Sequence, residues 1–148
     1  STLAAAAGRF AAKGVALTSH VPADLPQVRW DPQRIGQVLH NLLDNALRHT
    51  PSGGHVDVRV TADHQDLVIT VTDDGDGIPA EHLSRIFERF YRVDAARDRE
   101  HGGAGIGLAI AKAFADAHGG SLTASSMGSG HGATFTLVVP VGGPAAGG

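Results

Sequence analysis

The stretch GGAGIGLAIA at residues 102–111 places a glycine-rich turn directly before an apolar helical segment. Gly103, Gly105 and Gly107 stand at every second position, and residues without a side chain let the backbone approach an anion closely. The helix that follows directs its unpaired N–H groups at the same anion. The stretch predicts a phosphate-binding turn, although a glycine cluster without other signs of a nucleotide is more typical of an ordinary turn.

The glycine spacing excludes several familiar nucleotide sites. It reads GxGxG rather than the GxGxxG of dinucleotide-binding folds, and the chain contains neither a GxxxxGK[ST] motif nor the motif set of protein kinases. The nine histidines form no HExxH pattern, and neither a GxSxG element nor a cysteine is present. Zinc-dependent, serine or cysteine hydrolase chemistry is therefore not indicated.

The composition is that of one globular domain. The 148 residues are 42% hydrophobic, enough for a core of moderate size. The net charge is −3 and no lysine or arginine run occurs, so a nucleic-acid partner is not expected. No apolar segment is long enough to cross a bilayer, so this part of the chain is not expected to enter a membrane. We expect a helix or linker remnant at 1–12, one domain at 13–141 and a disordered tail at 142–148.

The longest predicted helix begins at Asp31-Pro32, with the aspartate as N-cap and the proline at the first helical position. Asn41, Asn45 and Arg48 follow on an arc that borders the apolar face. Asparagine carbonyls are neutral oxygens suited to Mg²⁺ that already carries phosphates, and an arginine would neutralise phosphate charge. The alternatives are a satisfied polar network and a solvated cation at the helix end. The apolar face consists of Ile35, Val38, Leu39, Leu42, Leu43, Ala46 and Leu47.

Alternating apolar residues at 56–60 and 67–71 predict an antiparallel hairpin, whose second strand runs into DDGDGIP at residues 73–79. An EF-hand is excluded, because counting from Asp74 puts Pro79 at the required glycine and Arg85 at the required glutamate. A plain acidic turn is one alternative. In the more specific interpretation, Asp73 accepts a hydrogen bond from an amino group such as that of adenine, and the following glycines leave room for the ring.

Shorter patterns predict the other elements. The phenylalanines after Pro79 have helical spacing and are interpreted as core residues rather than as a cofactor site. The predicted elements are a short, loosely held helix or a linker at 2–12, strands at 15–19 and 28–30, a helix from Pro79 carrying Leu83, Ile86, Phe87 and Phe90, a mobile loop at 93–104, a helix at 105–118, and strands at 122–124 and 133–139.

Four segments, in this order, resemble the sequence boxes of the catalytic ATP-binding domain of two-component sensor histidine kinases. HNLLDNALRHT at 40–50 is similar to the N box and DDGDGI at 73–78 to the G1 box. IFERFYRVD at 86–94 is similar to the F box, and GGAGIGLAIAKAFADAHGG at 102–120 to the G2 box. The resemblance implies the Bergerat ATP-binding fold, a two-layer α/β sandwich whose mixed, mostly antiparallel sheet is covered on one face by about three helices.

The same resemblance implies ATP and Mg²⁺ as cofactors and gives roles to individual residues. Asn45 would ligate Mg²⁺ with Asn41 in support, and Arg48 would approach the phosphates. Asp73 would fix the adenine amino group, and His49, where the family often has tyrosine, would lie along the adenine. No general base is implied within the chain, so no residue is assigned as catalytic. The other implied ATP-binding residues are Gly75, Gly77 and Ile78 at the base, Arg92 at the terminal phosphate, Gly103, Gly105, Ile106, Gly107 and Leu108 along the phosphate chain, and Thr134, which would contact adenine through water.

The implied reaction transfers the γ-phosphoryl group to a histidine on the dimerisation and phosphoacceptor domain of the same sensor kinase, and from there to an aspartate of a response regulator. No segment here resembles the family's HELRTPL acceptor helix, so none of the nine histidines is assigned as acceptor. DNA gyrase, Hsp90 and MutL share the fold but place a glutamate where this chain has Asn41, so efficient ATP hydrolysis is not expected. A serine kinase of the anti-sigma type and a non-catalytic nucleotide-binding docking module are the alternatives. The implied location is a cytoplasmic domain of a sensor in the inner or plasma membrane.

Overall fold

Three helices and five strands make up the described part of the chain. The computed structural model describes residues 2–22, 32–63, 65–88, 107–128 and 130–141. In chain order the elements are α1 (Thr2–Lys13), β1 (Ala16–His20), α2 (Pro32–His49), β2 (His55–Ala62), β3 (Asp66–Asp73), a 3-10 turn (Ala80–His82), α3 (Gly107–Ala117), β4 (Ser121–Ser125) and β5 (Ala133–Pro140).

The five strands form one mixed sheet in the order β1-β2-β3-β5-β4. β1 pairs with β2 in parallel, because α2 carries the chain back between them, and the other three pairings are antiparallel. The hairpin of β2 and β3 pairs Val58 with Val71 and Val60 with Ile69. The predicted hairpin and the predicted mixed, mostly antiparallel sheet are confirmed.

One face of the sheet is covered by the helices, and the alternation of side chains decides which residues it buries. Along β5 every second residue from Ala133 to Val139 is buried, and β3 buries Leu67, Ile69 and Val71 in the same phase. α2 packs on β3, while α3 packs on β4 and β5. The two-layer α/β sandwich is therefore confirmed. Its other face carries threonines and charged residues such as Thr72, Thr134 and Arg59.

α1 is an integral part of the hydrophobic core. The helix expected at 2–12 is present, but Ala6 and Phe10 are 0% and 1% exposed, so it is neither loosely held nor a linker. The Lys13 ammonium also donates a hydrogen bond of 2.6 Å to the Leu47 carbonyl near the end of α2. α1 therefore packs against α2 and satisfies one of the carbonyls that a helix end leaves without an intrahelical partner.

The segment after Pro79 is not the α-helix that the apolar spacing predicts. The described residues form one 3-10 turn, Ala80–His82, and a series of hydrogen-bonded turns up to Glu88. Ile86 is nevertheless buried, and the Phe87 ring meets Phe135 edge to face with centroids 6.1 Å apart. The prediction that this segment supplies core residues is confirmed for those two side chains, while its helical state is corrected.

Some predicted elements lie outside the described residues: the strand at 28–30, the part of the 79–90 helix beyond Glu88, the loop at 93–104 and the tail at 142–148. Within the described ranges, no helix combines the length and the apolar character needed to cross a membrane.

Candidate functional site

Asp73 is a buried carboxylate at the end of β3. It lies on the helix-covered face, paired across the sheet with Val56 and Ala133, and is 6% exposed. Burial raises the pKa of Asp73 to about 6, and the backbone hydrogen bonds from Gly75 and Ala133 oppose that rise. The bond from the Gly75 N–H to Oδ1 measures 2.9 Å. The carboxylate is thus held in a fixed orientation, partly desolvated, and favours an additional donor that would stabilise its charge.

The loop after Asp73 lies directly against the end of α2. The Asp76 N–H donates a hydrogen bond of 2.9 Å to the His49 carbonyl. A Cβ on Gly75 would lie 2.1 Å from the same carbonyl oxygen, so only glycine fits at this position. Gly77 has a φ of +73°, and a Cβ there would lie 2.1 Å from the Gly128 carbonyl oxygen. Both glycines are needed for close backbone contacts that shape the loop around Asp73.

His49 and Ile78 flank this loop. The His49 Nδ1 lies 3.5 Å from Oδ2 of Asp76, an ion pair when the imidazole is protonated. Ile78 is 8% exposed and belongs to the hydrophobic core. The structure therefore brings His49, Asp73, Gly75, Gly77 and Ile78 into one region, formed by the last residue of α2 and by the chain that leaves β3.

A polar row on α2 continues from this region. Asn45 is buried at 9% exposure, and Asn41 lies four residues earlier on the same helix. A Cβ on Gly107, the first residue of α3, would lie 3.8 Å from the Asn41 side chain. The N-terminus of α3 therefore adjoins the polar row, as the phosphate-turn prediction requires, and Leu108 follows on the same first turn.

Two donors in this row are buried without a hydrogen-bond partner among the described residues. They are Nδ2 of Asn41 and Nε of Arg48. The Arg48 guanidinium also lies 3.5 Å from Asp44, which in turn lies 3.2 Å from Arg9 on α1. Because buried donors are normally satisfied, these two donors, of which that of Asn41 lies beside the N-terminus of α3, fit an anionic ligand better than a cation.

The residues that are present also fit a phosphate-bound Mg²⁺. In the described ranges, no group of three histidine, cysteine, aspartate or glutamate side chains is arranged to hold a metal ion by itself. Mg²⁺ commonly takes one or two protein oxygens and completes its octahedron with water and phosphate oxygens. The amide oxygen of Asn45 would hold such an ion, and the ion would neutralise phosphate charge when bound.

Thr134 does not join the other predicted site residues. It pairs with Thr72, and its hydroxyl donates a 3.3 Å hydrogen bond to the Thr72 hydroxyl. Both threonines lie on the face of the sheet opposite to Asp73, because side chains alternate along a strand. The expected water-mediated contact to adenine is therefore corrected, and Ala133 takes the place beside Asp73. Arg92, Gly103, Gly105 and Ile106 lie outside the described residues.

Comparison with known proteins identifies the family of the chain. The family model described as histidine kinase-, DNA gyrase B-, and HSP90-like ATPase matches residues 30–143. The chain belongs to this ATPase family. Among its relatives, the sensor histidine kinase WalK of Bacillus subtilis is 46% identical over 115 residues, which cover 76% of this chain and 19% of WalK. The chain spans about a fifth of the length of the curated relatives that it matches.

Two solved structures place the chain more closely within the family. The mycobacterial sensor histidine kinase MprB is 30% identical with a TM-score of 0.75, and the match covers 96% of this chain and 91% of that one. Full-length ShkA in complex with AMPPNP is 29% identical with a TM-score of 0.81, over 96% of this chain and 29% of ShkA. The chain is therefore a histidine kinase-type ATPase domain. The family match starts at residue 30, so α1 and β1 precede it.

Three contributors to this candidate site are not among the residues that the sequence predicts. Asp76 belongs to the acidic turn in the sequence, yet it contacts His49 through both its side chain and its backbone. Asp44 holds Arg48, and its spacing of four residues from Arg48 on a helix was a readable signal. Ser126, from the connection between β4 and β5, accepts a hydrogen bond from the Ile78 N–H, which no local pattern indicated.

Proposed function

We propose that this domain binds Mg²⁺-ATP and donates the γ-phosphoryl group to a histidine on the dimerisation and phosphoacceptor domain of a longer sensor kinase. A response regulator would then receive the group on an aspartate, and the whole would act as the cytoplasmic part of a membrane sensor. The observation that carries the proposal is a buried acceptor, Asp73, whose loop lies against the end of α2, together with the buried donors of Asn41 and Arg48 on α2, which find no partner among the described residues.

Adenine fits the part of the site that contains the Asp73 carboxylate, which accepts hydrogen bonds. Its exocyclic amino group would donate to the Asp73 carboxylate, a charge-assisted bond worth roughly 1.5 to 3 kcal/mol. Guanine presents a carbonyl oxygen at the equivalent ring position, so Asp73 would repel it. The proposal therefore includes a preference for ATP over GTP, with the ring set among Asp73, Gly77 and Ile78.

The phosphates fit the part of the site that contains the N–H donors of Asn41 and Arg48. Asn41 and Arg48 would bind phosphate oxygens with their unsatisfied N–H groups, and the N-terminus of α3 at Gly107 would add backbone N–H groups. Asn45 would hold Mg²⁺, which offsets the negative charge that the transferred group carries. In the transfer, the bond from the γ-phosphorus to the bridging oxygen breaks as a bond to an imidazole nitrogen forms. An imidazole is itself the nucleophile, so the lack of a glutamate at position 41 is compatible with transfer.

ShkA, one of the similar structures, was solved in complex with AMPPNP, and that compound is the appropriate first probe here. We expect saturable binding in a calorimetric titration, strengthened by Mg²⁺. Asn45→Ala should remove the Mg²⁺-dependent part of the affinity. The matched control is Gln33→Ala, an exposed residue on the first turn of the same helix, which should bind as the parent does. A folded Asn45→Ala variant with unchanged Mg²⁺ dependence would remove Asn45 from the site.

The transfer step needs a second experiment, in which a dimerisation fragment of a sensor kinase is supplied with the domain and labelled ATP. Acid-labile label on a histidine of that fragment is the expected result. Acid-stable label on a serine would assign the chain to the anti-sigma type of kinase. Binding without any transfer to supplied fragments would reduce the function to a nucleotide-dependent docking module.

A further inference from the structure

The connection between β4 and β5 lies against the loop that follows Asp73. Its described residues are 126–128 and 130–132. The Gly130 N–H donates to the Asp76 carbonyl at 2.6 Å, and the Gly132 N–H donates to the Gly75 carbonyl at 3.2 Å. Two segments far apart in sequence are therefore joined by backbone hydrogen bonds along the loop where adenine would bind.

One side chain, Ser126, occupies the centre of this contact. Its hydroxyl oxygen accepts hydrogen bonds from the Ile78 N–H at 3.0 Å and from the Gly128 N–H at 3.1 Å. The hydroxyl hydrogen is donated to the Gly132 carbonyl at 2.6 Å. A serine hydroxyl has one donor and two acceptor positions, so all three are used. The group is partly buried and links Ile78, Gly128 and Gly132, in addition to the two backbone hydrogen bonds between the segments.

We propose that the Ser126 hydroxyl is a positioning group for the adenine pocket, which fixes the loop from Asp73 to Ile78 before the nucleotide arrives. The inference rests on the proposed ATP binding at that loop. Without the hydroxyl, the Ile78 and Gly128 N–H groups lose their acceptor, and part of the ordering of the loop would have to come from the ligand. The affinity for every ligand that contains adenine is then lower, because part of the binding free energy is used to order the loop.

The test is Ser126→Ala, with Ser125→Ala as the matched control. Ser125 is exposed and pairs with Thr134, on the face of the sheet away from Asp73. We expect about tenfold weaker binding of adenosine, ADP and ATP alike in Ser126→Ala, in line with the loss of buried hydrogen bonds. Ser126→Thr, which keeps a hydroxyl, should restore most of the affinity. A purely structural role would lower the melting temperature of Ser126→Ala and leave its affinity equal to that of Ser125→Ala, which would overturn the proposal.

Two further measurements keep the outcomes apart. If the parent protein itself binds no ATP, the proposed function fails and the inference fails with it; if the parent binds and the two alanine variants bind equally, only the inference fails. Should Ser126→Ala not fold, amide hydrogen exchange of the ligand-free parent decides the question. We expect the Ile78 and Gly128 amides to be protected from exchange. If both amides exchange as fast as in an unfolded chain, the proposed role of Ser126 is refuted.

Discussion

Replacing Asp73 by asparagine should make the protein more stable and less able to bind ATP. The pKa of Asp73 is about 6 in the folded chain, against 3.8 for an unperturbed aspartate. Each pH unit of that difference corresponds to about 1.4 kcal/mol, so ionising this buried group lowers the free energy of unfolding by roughly 3 kcal/mol above pH 6. Asparagine has the same shape and carries no charge, so it avoids this cost.

The sign of the pH dependence follows from proton binding. Between pH 4 and pH 6 the unfolded chain has lost the Asp73 proton while the folded chain keeps it, so stability falls as the pH rises through this window. Below the window both states are protonated and the variant has no advantage. The Gly75 N–H still finds an amide oxygen at the position of Oδ1, although a bond to a neutral acceptor is weaker by about 1 kcal/mol. The net gain in Asp73→Asn at pH 8 is therefore expected to be about 1 to 2 kcal/mol.

Urea denaturation of both proteins at several pH values between 3 and 8 measures this directly. All other ionisable residues are common to both proteins, so the difference in unfolding free energy isolates residue 73. Asp116→Asn is the control, because Asp116 is an exposed residue in a surface pair with Lys112 and should change stability by less than about 0.5 kcal/mol. A difference between Asp73→Asn and the parent that stays constant across the whole pH range would refute the burial cost. At pH 8 the same variant should bind ATP about tenfold more weakly, the difference between a charged and a neutral acceptor.

Three more predictions follow from the same structure. The affinity for adenosine, followed by NMR to avoid titrating phosphates, should fall below pH 6, by up to tenfold per pH unit, since binding must then displace a proton from Asp73; a flat profile from pH 5 to 8 would exclude the carboxylate as the adenine acceptor. Phe10→Ala should cost about 3 to 5 kcal/mol of unfolding free energy, because the ring is fully buried, whereas the neighbouring Arg9→Ala should cost less than about 1 kcal/mol; equal effects in urea denaturation would mean that α1 is not part of the core. Gly77→Ala should lower the melting temperature and weaken ATP binding, while Gly8→Ala on α1 should stabilise the helix by up to about 1 kcal/mol; a neutral Gly77→Ala would contradict the contact with Gly128.

The elements that were predictable from sequence are those whose signals are local. The helix that became α2 has a proline start and a complete apolar face, and each strand of the β2–β3 hairpin shows strict alternation, so both were readable without the rest of the fold. The segment after Pro79 shows the limit of that method. Apolar residues three or four positions apart are typical of an α-helix, but a run of tight turns brings the same side chains, Ile86 and Phe87, onto the core.

Contacts between distant segments could not be predicted. Burial of Phe10 depends on how α1 packs against α2, and Gly8 obscured the apolar pattern of that helix. The role of Ser126 depends on a loop 48 residues earlier in the chain. Thr134 is a different case, because the alternation that marks Ala133 and Phe135 as buried already places Thr134 on the opposite face. The family resemblance implies a hydroxyl beside the adenine. The alternation of side chains along β5 instead places Thr134 on the opposite face of the sheet.

The candidate site is composed of groups that are costly in the ligand-free protein. Burial of Asp73 disfavours its charged form. Asn41 and Arg48 each have a buried N–H donor that finds no acceptor in the described part of the chain. A ligand with an amino group at one end and phosphates at the other would relieve all three costs together. This gain adds to the binding free energy only if the three groups keep their positions in the ligand-free protein. If the site rearranged without a ligand, the groups would find partners before binding, and the ligand would gain nothing from them. Close backbone contacts at Gly75 and Gly77 and the hydrogen bonds of the Ser126 hydroxyl supply that rigidity around the adenine position. The adenine pocket should therefore be formed before ATP binds. Asp73→Asn should then raise the free energy of unfolding and lower the affinity for ATP together.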